Sequence, residues 1–288
     1  MAPRPSPVVG ARRTAPLWRL VVAVWAAGQL LFLPARLVLF GAFRRGLGAI
    51  PDGFEPPPGD VLLLLRDELP AAAPALRWSL LLGALGWWLW TVLWHGGAVT
   101  ASVWGGSPRL GELLGLGVVR YGRYLRLSLL AAAVTFVAFV AVWMPATSLV
   151  SSAYTEMADD RIIPVLLGAL ALTALLLLLV AAATLRAAWL LARPDRGSAV
   201  ASWFAALAAT ARSPLASVGT VVVWLLLWLV LAVVPFALAG VLEPLRTGLA
   251  APILEQLLAL ARAGCLVALL MSFAPTSGLL AERGRPDA

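Results

Sequence analysis

The 288-residue chain is 61% hydrophobic and 12% charged, with a mean hydropathy of +0.92. That composition excludes a soluble domain as its main content, because several apolar runs approach or exceed the roughly 18–20 residues that cross a bilayer core of about 30 Å. A formal charge of +8 would suggest a nucleic-acid partner in a soluble chain. Here there is no block of consecutive basic residues and no nucleic-acid module, so the charge is read as arginine at one end of membrane spans.

All 22 basic residues are arginine, and lysine and asparagine are absent. Alanine, leucine, valine and glycine dominate, a bias read as that of a GC-rich, bacterial genome. Cys265 is the only cysteine and His95 the only histidine. Neither an intrachain disulfide nor a Cys/His zinc site can therefore form, and no cofactor is expected.

Residues 1–16 are rich in Pro, Ala and Arg and are expected to be a disordered cytoplasmic tail. Arg4, Arg12, Arg13 and Arg19 precede an apolar run, Leu20 to Phe43, interrupted by Gln29, Pro34 and Arg36. The run continues past a poor cleavage site at Trp25–Gly28, which favours an uncleaved first span over a signal peptide. Residues 44–77 are expected to form the longest loop, with P-D-G and E-P-P-P-G-D as breakers and a short helix from Val61 to Leu69. A second span, Trp78 to Trp94, carries tryptophan at both ends, as an aromatic belt does. H-G-G-A-V-T at 95–100 reads as a break.

Ser107 to Leu130 reads as an arginine-faced surface helix leading straight into the third span, about Leu127 to Val150. At 100° per residue, Arg109, Glu112, Arg120, Arg123 and Arg126 share one side and Leu110, Leu114, Val118, Tyr121 and Leu125 the other. Tyr121 and Tyr124 suit the headgroup level, with apolar rings and hydroxyls that seek water. Either the arginines only enforce orientation, or they meet anionic phospholipid headgroups or a membrane-protein partner.

A short acidic loop, 151–161, leads to the fourth span, Ile162 to Leu185. Arg186, Arg193 and Arg196 follow, and then a second surface helix from Ser198 to Ser213, whose shared face is Val200, Trp203, Phe204, Leu207 and Ala211. The fifth span runs from Leu215 to Ala239 and the sixth from Ile253 to Leu280, with residues 281–288 as a cytoplasmic tail. The expected fold is an all-α polytopic membrane bundle over 17–280, with six spans and cytoplasmic amphipathic helices. Arginine fixes its threading: with the N-terminus inside, cytoplasmic segments hold 14 arginines and four acids, and the other side eight and ten. Both termini are thus expected on the cytoplasmic face of the inner membrane.

Three intramembrane charges stand out. Glu255 and Arg262 lie two turns apart on one helical face, and Arg36 sits near the far end of the first span. They line a polar path or bind a headgroup on one reading; on the other they stay at the interface or pair locally. Gly111-x-x-x-Gly115 permits close helix contact but arises by chance in a glycine-rich chain. Paired catalytic groups are missing, so no enzyme is expected.

W-H-G-G-A-V-T-A at 94–101, followed by R-Y-G-R-Y-L-R-L-S-L-L, resembles a broad group of bacterial six-span membrane proteins. They include the membrane domain attached to some glycerophosphodiester phosphodiesterases. The catalytic domain of those enzymes has no counterpart here, so the resemblance implies an integral membrane protein and no activity. A non-enzymatic membrane component is the leading expectation, with a small-solute or lipid transporter near Arg262 as the alternative.

Overall fold

The computed structural model describes residues 5–14, 17–48, 58–104, 109–155, 159–193, 198–237 and 250–274. Among these residues every regular element is a helix: α1 (Pro7–Thr14), α2 (Trp18–Leu31), α3 (Leu33–Gly48), α4 (Pro58–Trp104), α5 (Leu110–Thr155), α6 (Asp159–Leu191), α7 (Ala199–Arg212), α8 (Pro214–Ala237) and α9 (Ala250–Ser272). Five stretches are long and apolar enough to cross a membrane: Pro70–Val103, Leu110–Tyr154, Ile162–Leu191, Pro214–Val234 and Ile253–Ser272. A sixth forms if α2 and α3, bent by 44° at their junction, count as one broken span. This is a multi-pass membrane fold. Many leucines, valines and phenylalanines on these helices are exposed, a surface that would drive aggregation in water and that lipid covers.

The chain divides into two compact units, Val22–Thr91 and Met1–Val21 with Val92–Ala288. In the first, Pro34 offers no N–H to the turn before it, and the chain bends there. The bent pair meets α4 at glycines. A Cβ on Gly83 would stand 3.0 Å from the Leu31 carbonyl oxygen, and one on Gly86 2.8 Å from a Leu31 methyl. Arg36 Nη1 donates to Gln29 Oε1 within this unit, so one intramembrane polar pair is local.

Three sequence expectations change. Residues 7–14 form helix α1, which packs on α9, instead of a disordered tail. Gly10 makes this possible, because any Cβ there would overlap Ser272 Oγ and the Ala268 carbonyl. The long loop 44–77 shortens, since α4 starts at Pro58 and runs through Pro70 and Pro74. Pro58 opens the helix where its missing N–H costs nothing, and Ala71–Ala73 between the two inner prolines favour helix. Finally, 95–100 is not a break: α4 continues to Trp104. Gly96 and Gly97 serve packing there, the first against the Tyr124 ring and the second against the Leu113 backbone. Asp52, Glu55, the 243–246 loop and the 281–288 tail lie outside the described residues.

In the second unit α5 and α6 pair as a hairpin, with Trp143 Nε1 donating to Thr173 Oγ1 at 3.1 Å. Packing is tightest at the other end of that hairpin. From Ala182 to Ala192 almost every residue of α6 is buried, whereas from Ile163 to Leu175 most are exposed.

Candidate functional site: the arginine-bearing end of the bundle

The last turns of α6 are the hub of this end, and hydrogen bonds tie four other helices to them or to one another. Tyr124 on α5 donates to the Ala188 carbonyl at 3.2 Å, and Arg120 Nη1 to the Ala192 carbonyl at 3.0 Å. Trp203 on α7 donates to Thr184 Oγ1 at 3.3 Å, and Trp189 to the Leu270 carbonyl of α9 at 2.9 Å. Trp224 on α8 donates to Ser272 Oγ at 2.9 Å, closing the ring between α8 and α9. Residue Ser6 before α1 also donates its N–H to the Ser272 carbonyl. The start of α5, the end of α6, all of α7, the start of α8 and the end of α9 thus meet at one end. Arg109, Arg120, Arg123, Arg126, Arg186, Arg193 and Arg212 belong to these segments.

The arginine-faced stretch leads directly into its span, as its sequence indicates, with no break in α5. Forty-six residues at 1.5 Å each give a helix of about 69 Å, more than twice the hydrocarbon thickness. No proline interrupts Leu110–Met144, so this part of α5 curves only gently, and Leu110–Arg126 continues along the axis of the span that starts at Leu127 and does not lie flat beside it. Arg123 and Arg126 are within about 6 Å of axial rise from Leu127, and Arg109 is several turns further out.

Which face packs differs from the two-face expectation. Leu113, Gly117, Tyr124 and Leu127 are buried, with Arg120 half-buried beside them. A Cβ on Gly117 would overlap the Leu93 carbonyl of α4, so this glycine, two residues past Gly115, makes the close helix contact. Gly111 and Gly115 have nothing within 4 Å. On the apolar face 110–114–118–121–125 Val118 is 64% exposed, and the other four residues are half-buried. Tyr124, expected at the lipid surface, is instead 3% exposed against α6. Its hydroxyl finds a carbonyl in the bundle, which removes the need to reach water. Tyr121 is half-buried, while Arg109, Glu112, Arg123 and Arg126 are exposed, with Glu112 accepting the Arg109 backbone N–H at 3.1 Å.

Helix α7 repeats this design. Ser198 caps it, its hydroxyl accepting the Ala201 N–H. The bundle takes the small side, Ala199, Ser202, Ala206 and Thr210, together with Trp203. Val200 and Phe204, expected to share one face with Trp203, point outward while Trp203 is buried, and Phe204 is 58% exposed. Small residues allow close approach to α6, and the bulky ones are left for lipid.

Arg186 is the residue that sequence reading passed over as one more positive-inside arginine. It is 8% exposed, and its Nη2 donates to Ser213 Oγ at 3.0 Å and Ser217 Oγ at 2.8 Å. Neither partner is a carboxylate, and the Arg186 Nε is buried with no partner. Only its place directly after the last apolar residue of a span distinguished it in the sequence. Of the intramembrane charges, Glu255 is exposed near the start of α9 and Arg262 half-buried in its middle. His95 is half-buried, edge-on to Trp94 at 4.1 Å, and Cys265 is buried against Trp224 and Ala268. Among the described residues no group of His, Cys, Asp and Glu could hold a metal ion. Compared with known proteins, the chain matches no family model, no curated protein and no solved structure.

Proposed function

We propose that this chain is a non-enzymatic component of a bacterial inner membrane, with both termini cytoplasmic, whose arginine-bearing end engages anionic phospholipid headgroups. The observation that carries the reading is a division of labour among arginines on one helix. Arg120 is taken into the bundle by α6, whereas Arg123 and Arg126, at the depth where the span meets headgroups, stay exposed. Outward Val118, Val200 and Phe204 give the same end an apolar border. A membrane-protein partner could use the same surface. The test is a thermal melt of the detergent-solubilised protein with added phosphatidylglycerol or phosphatidylcholine. The anionic lipid is expected to raise the midpoint more, and the Arg109→Gln/Arg123→Gln/Arg126→Gln variant to lose that difference. An unchanged difference in the variant refutes the reading.

A second reading is a small-solute or lipid transporter. It is favoured by Arg262, a half-buried guanidinium in the middle of an apolar helix. On that reading Arg262→Gln abolishes transport while leaving the fold intact; on the first it changes stability only.

A further inference from the structure

We propose that Arg186, Ser213 and Ser217 form a binding site for a phosphate oxyanion where α6, α7 and α8 meet. The site is separate from the exposed α5 arginines and does not depend on their role. Three observations converge on it. First, a guanidinium is almost fully buried with no carboxylate on it. Its two acceptors are neutral hydroxyls, so its hydrogen bonds are partly met and its charge is not. Second, those hydroxyls have committed their own protons elsewhere, Ser213 Oγ to the Ala209 carbonyl and Ser217 Oγ to the Ser213 carbonyl. They hold the guanidinium in place without adding negative charge. Third, the Arg186 Nε is buried and unpartnered, and so is the hydroxyl of Thr210, one turn before Ser213 on the buried side of α7.

A guanidinium fixed by two hydroxyls through Nη2, with its Nε–H left without an acceptor, offers an oxyanion a charge-assisted donor. The level of the site specifies phosphate. Arg186 stands 24 residues after Ile162, the start of the α6 span, or about 36 Å along the helix, which is beyond a hydrocarbon core of about 30 Å and at headgroup level. Such a phosphate could come from a phospholipid headgroup reaching in from the side or from free phosphate entering from the aqueous face.

Full-length protein purified in detergent is examined by native mass spectrometry with phosphatidylglycerol, with phosphatidylcholine and with inorganic phosphate, each alone and in competition. The wild type is expected to hold one phosphate-bearing ligand. Arg186→Gln should bind it at least about tenfold more weakly, the loss expected for a charge-assisted hydrogen bond, while Arg123→Gln/Arg126→Gln still holds it. Retained phospholipid that phosphate does not displace identifies a headgroup site; binding of phosphate alone identifies a free-anion site. Arg186→Lys keeps the charge and loses the Nε–H donor, and serves if Arg186→Gln does not fold. A wild type that holds none of the three probes, or folded Arg186 variants that bind as the wild type does, overturns the proposal.

Discussion

Adding one methyl group at Gly97 should destabilise the protein, and adding the same group at Gly111 should stabilise it. Both residues are helical, Gly97 in the interior of α4 and Gly111 in the first turn of α5, so the intrinsic gain from Gly to Ala is at most about 0.8–1 kcal/mol, the helix-interior value. The surroundings decide the sign. At Gly111 nothing lies within 4 Å, so a gain is expected, smaller than the interior value because the residue is in the first turn of α5. At Gly97 the new Cβ would overlap the Leu113 carbonyl oxygen and stand 2.9 Å from Leu113 Cδ2 and 3.0 Å from the Leu113 carbonyl carbon. Two of those three atoms are backbone, so α4 and α5 must move apart and the buried contacts around Tyr124 move with them. Overpacking of this kind costs roughly 1–3 kcal/mol, and a backbone obstacle belongs at the upper end. The net expectation for Gly97→Ala is a loss of about 1–2 kcal/mol, against a gain of up to about 1 kcal/mol for Gly111→Ala. Thermal unfolding in one detergent, followed by size-exclusion recovery and circular dichroism, measures both. A Gly97→Ala protein as stable as Gly111→Ala would refute the close crossing of α4 on α5.

The other expectations concern the same end of the bundle. Tyr124→Phe should cost about 1 kcal/mol, because the Ala188 carbonyl keeps its helical bond from the Ala192 N–H, whereas Tyr124→Ala should cost about 3–5 kcal/mol through the cavity it leaves. Phe204→Ser should change the melting midpoint in detergent by little, and weaken α7's protection from proteolysis in vesicles, since the ring faces out of the bundle. Gly10→Val should release α1 from α9, seen as early cleavage in the first 14 residues by a limiting protease while the remaining fragment stays intact. In contrast, Arg123→Ala and Arg126→Ala should each shift stability by less than about 0.5 kcal/mol, as both side chains are exposed.

The helical class and the spans were legible because bilayer thickness imposes a length on apolar runs, and the runs from Ile162 to Leu185 and from Leu215 onward meet it plainly. Arginine placement grouped 109–126, 186–193 and 198–212 on one side, and these described segments do meet at one end of the second unit. What the sequence hid was the use of glycine and of helix faces. Glycines 96 and 97 look the same as breakers and as contact points until a neighbouring backbone is present to need the space. Likewise the 100° wheel separates polar from apolar, but in a membrane the apolar side of a helix goes to lipid and the small side goes to protein. That is why Leu113 and Gly117 pack while Val118 does not, and why Trp203 and Phe204 part company. Tyr124 and Arg186 were misjudged for one reason: a polar group at a span's end can reach either water or a buried carbonyl or hydroxyl, and only the packing decides which.

The most direct measurement is side-specific labelling of single cysteines, introduced in a Cys265→Ser background at the exposed positions Arg123, Tyr154, Arg212 and Glu255. With a membrane-impermeant maleimide on intact spheroplasts, positions 154 and 255 are expected to react, and 123 and 212 only after the membrane is opened. Reaction of 123 and 154 from the same side would contradict the account, because the two ends of α5 would then share one face of the bilayer.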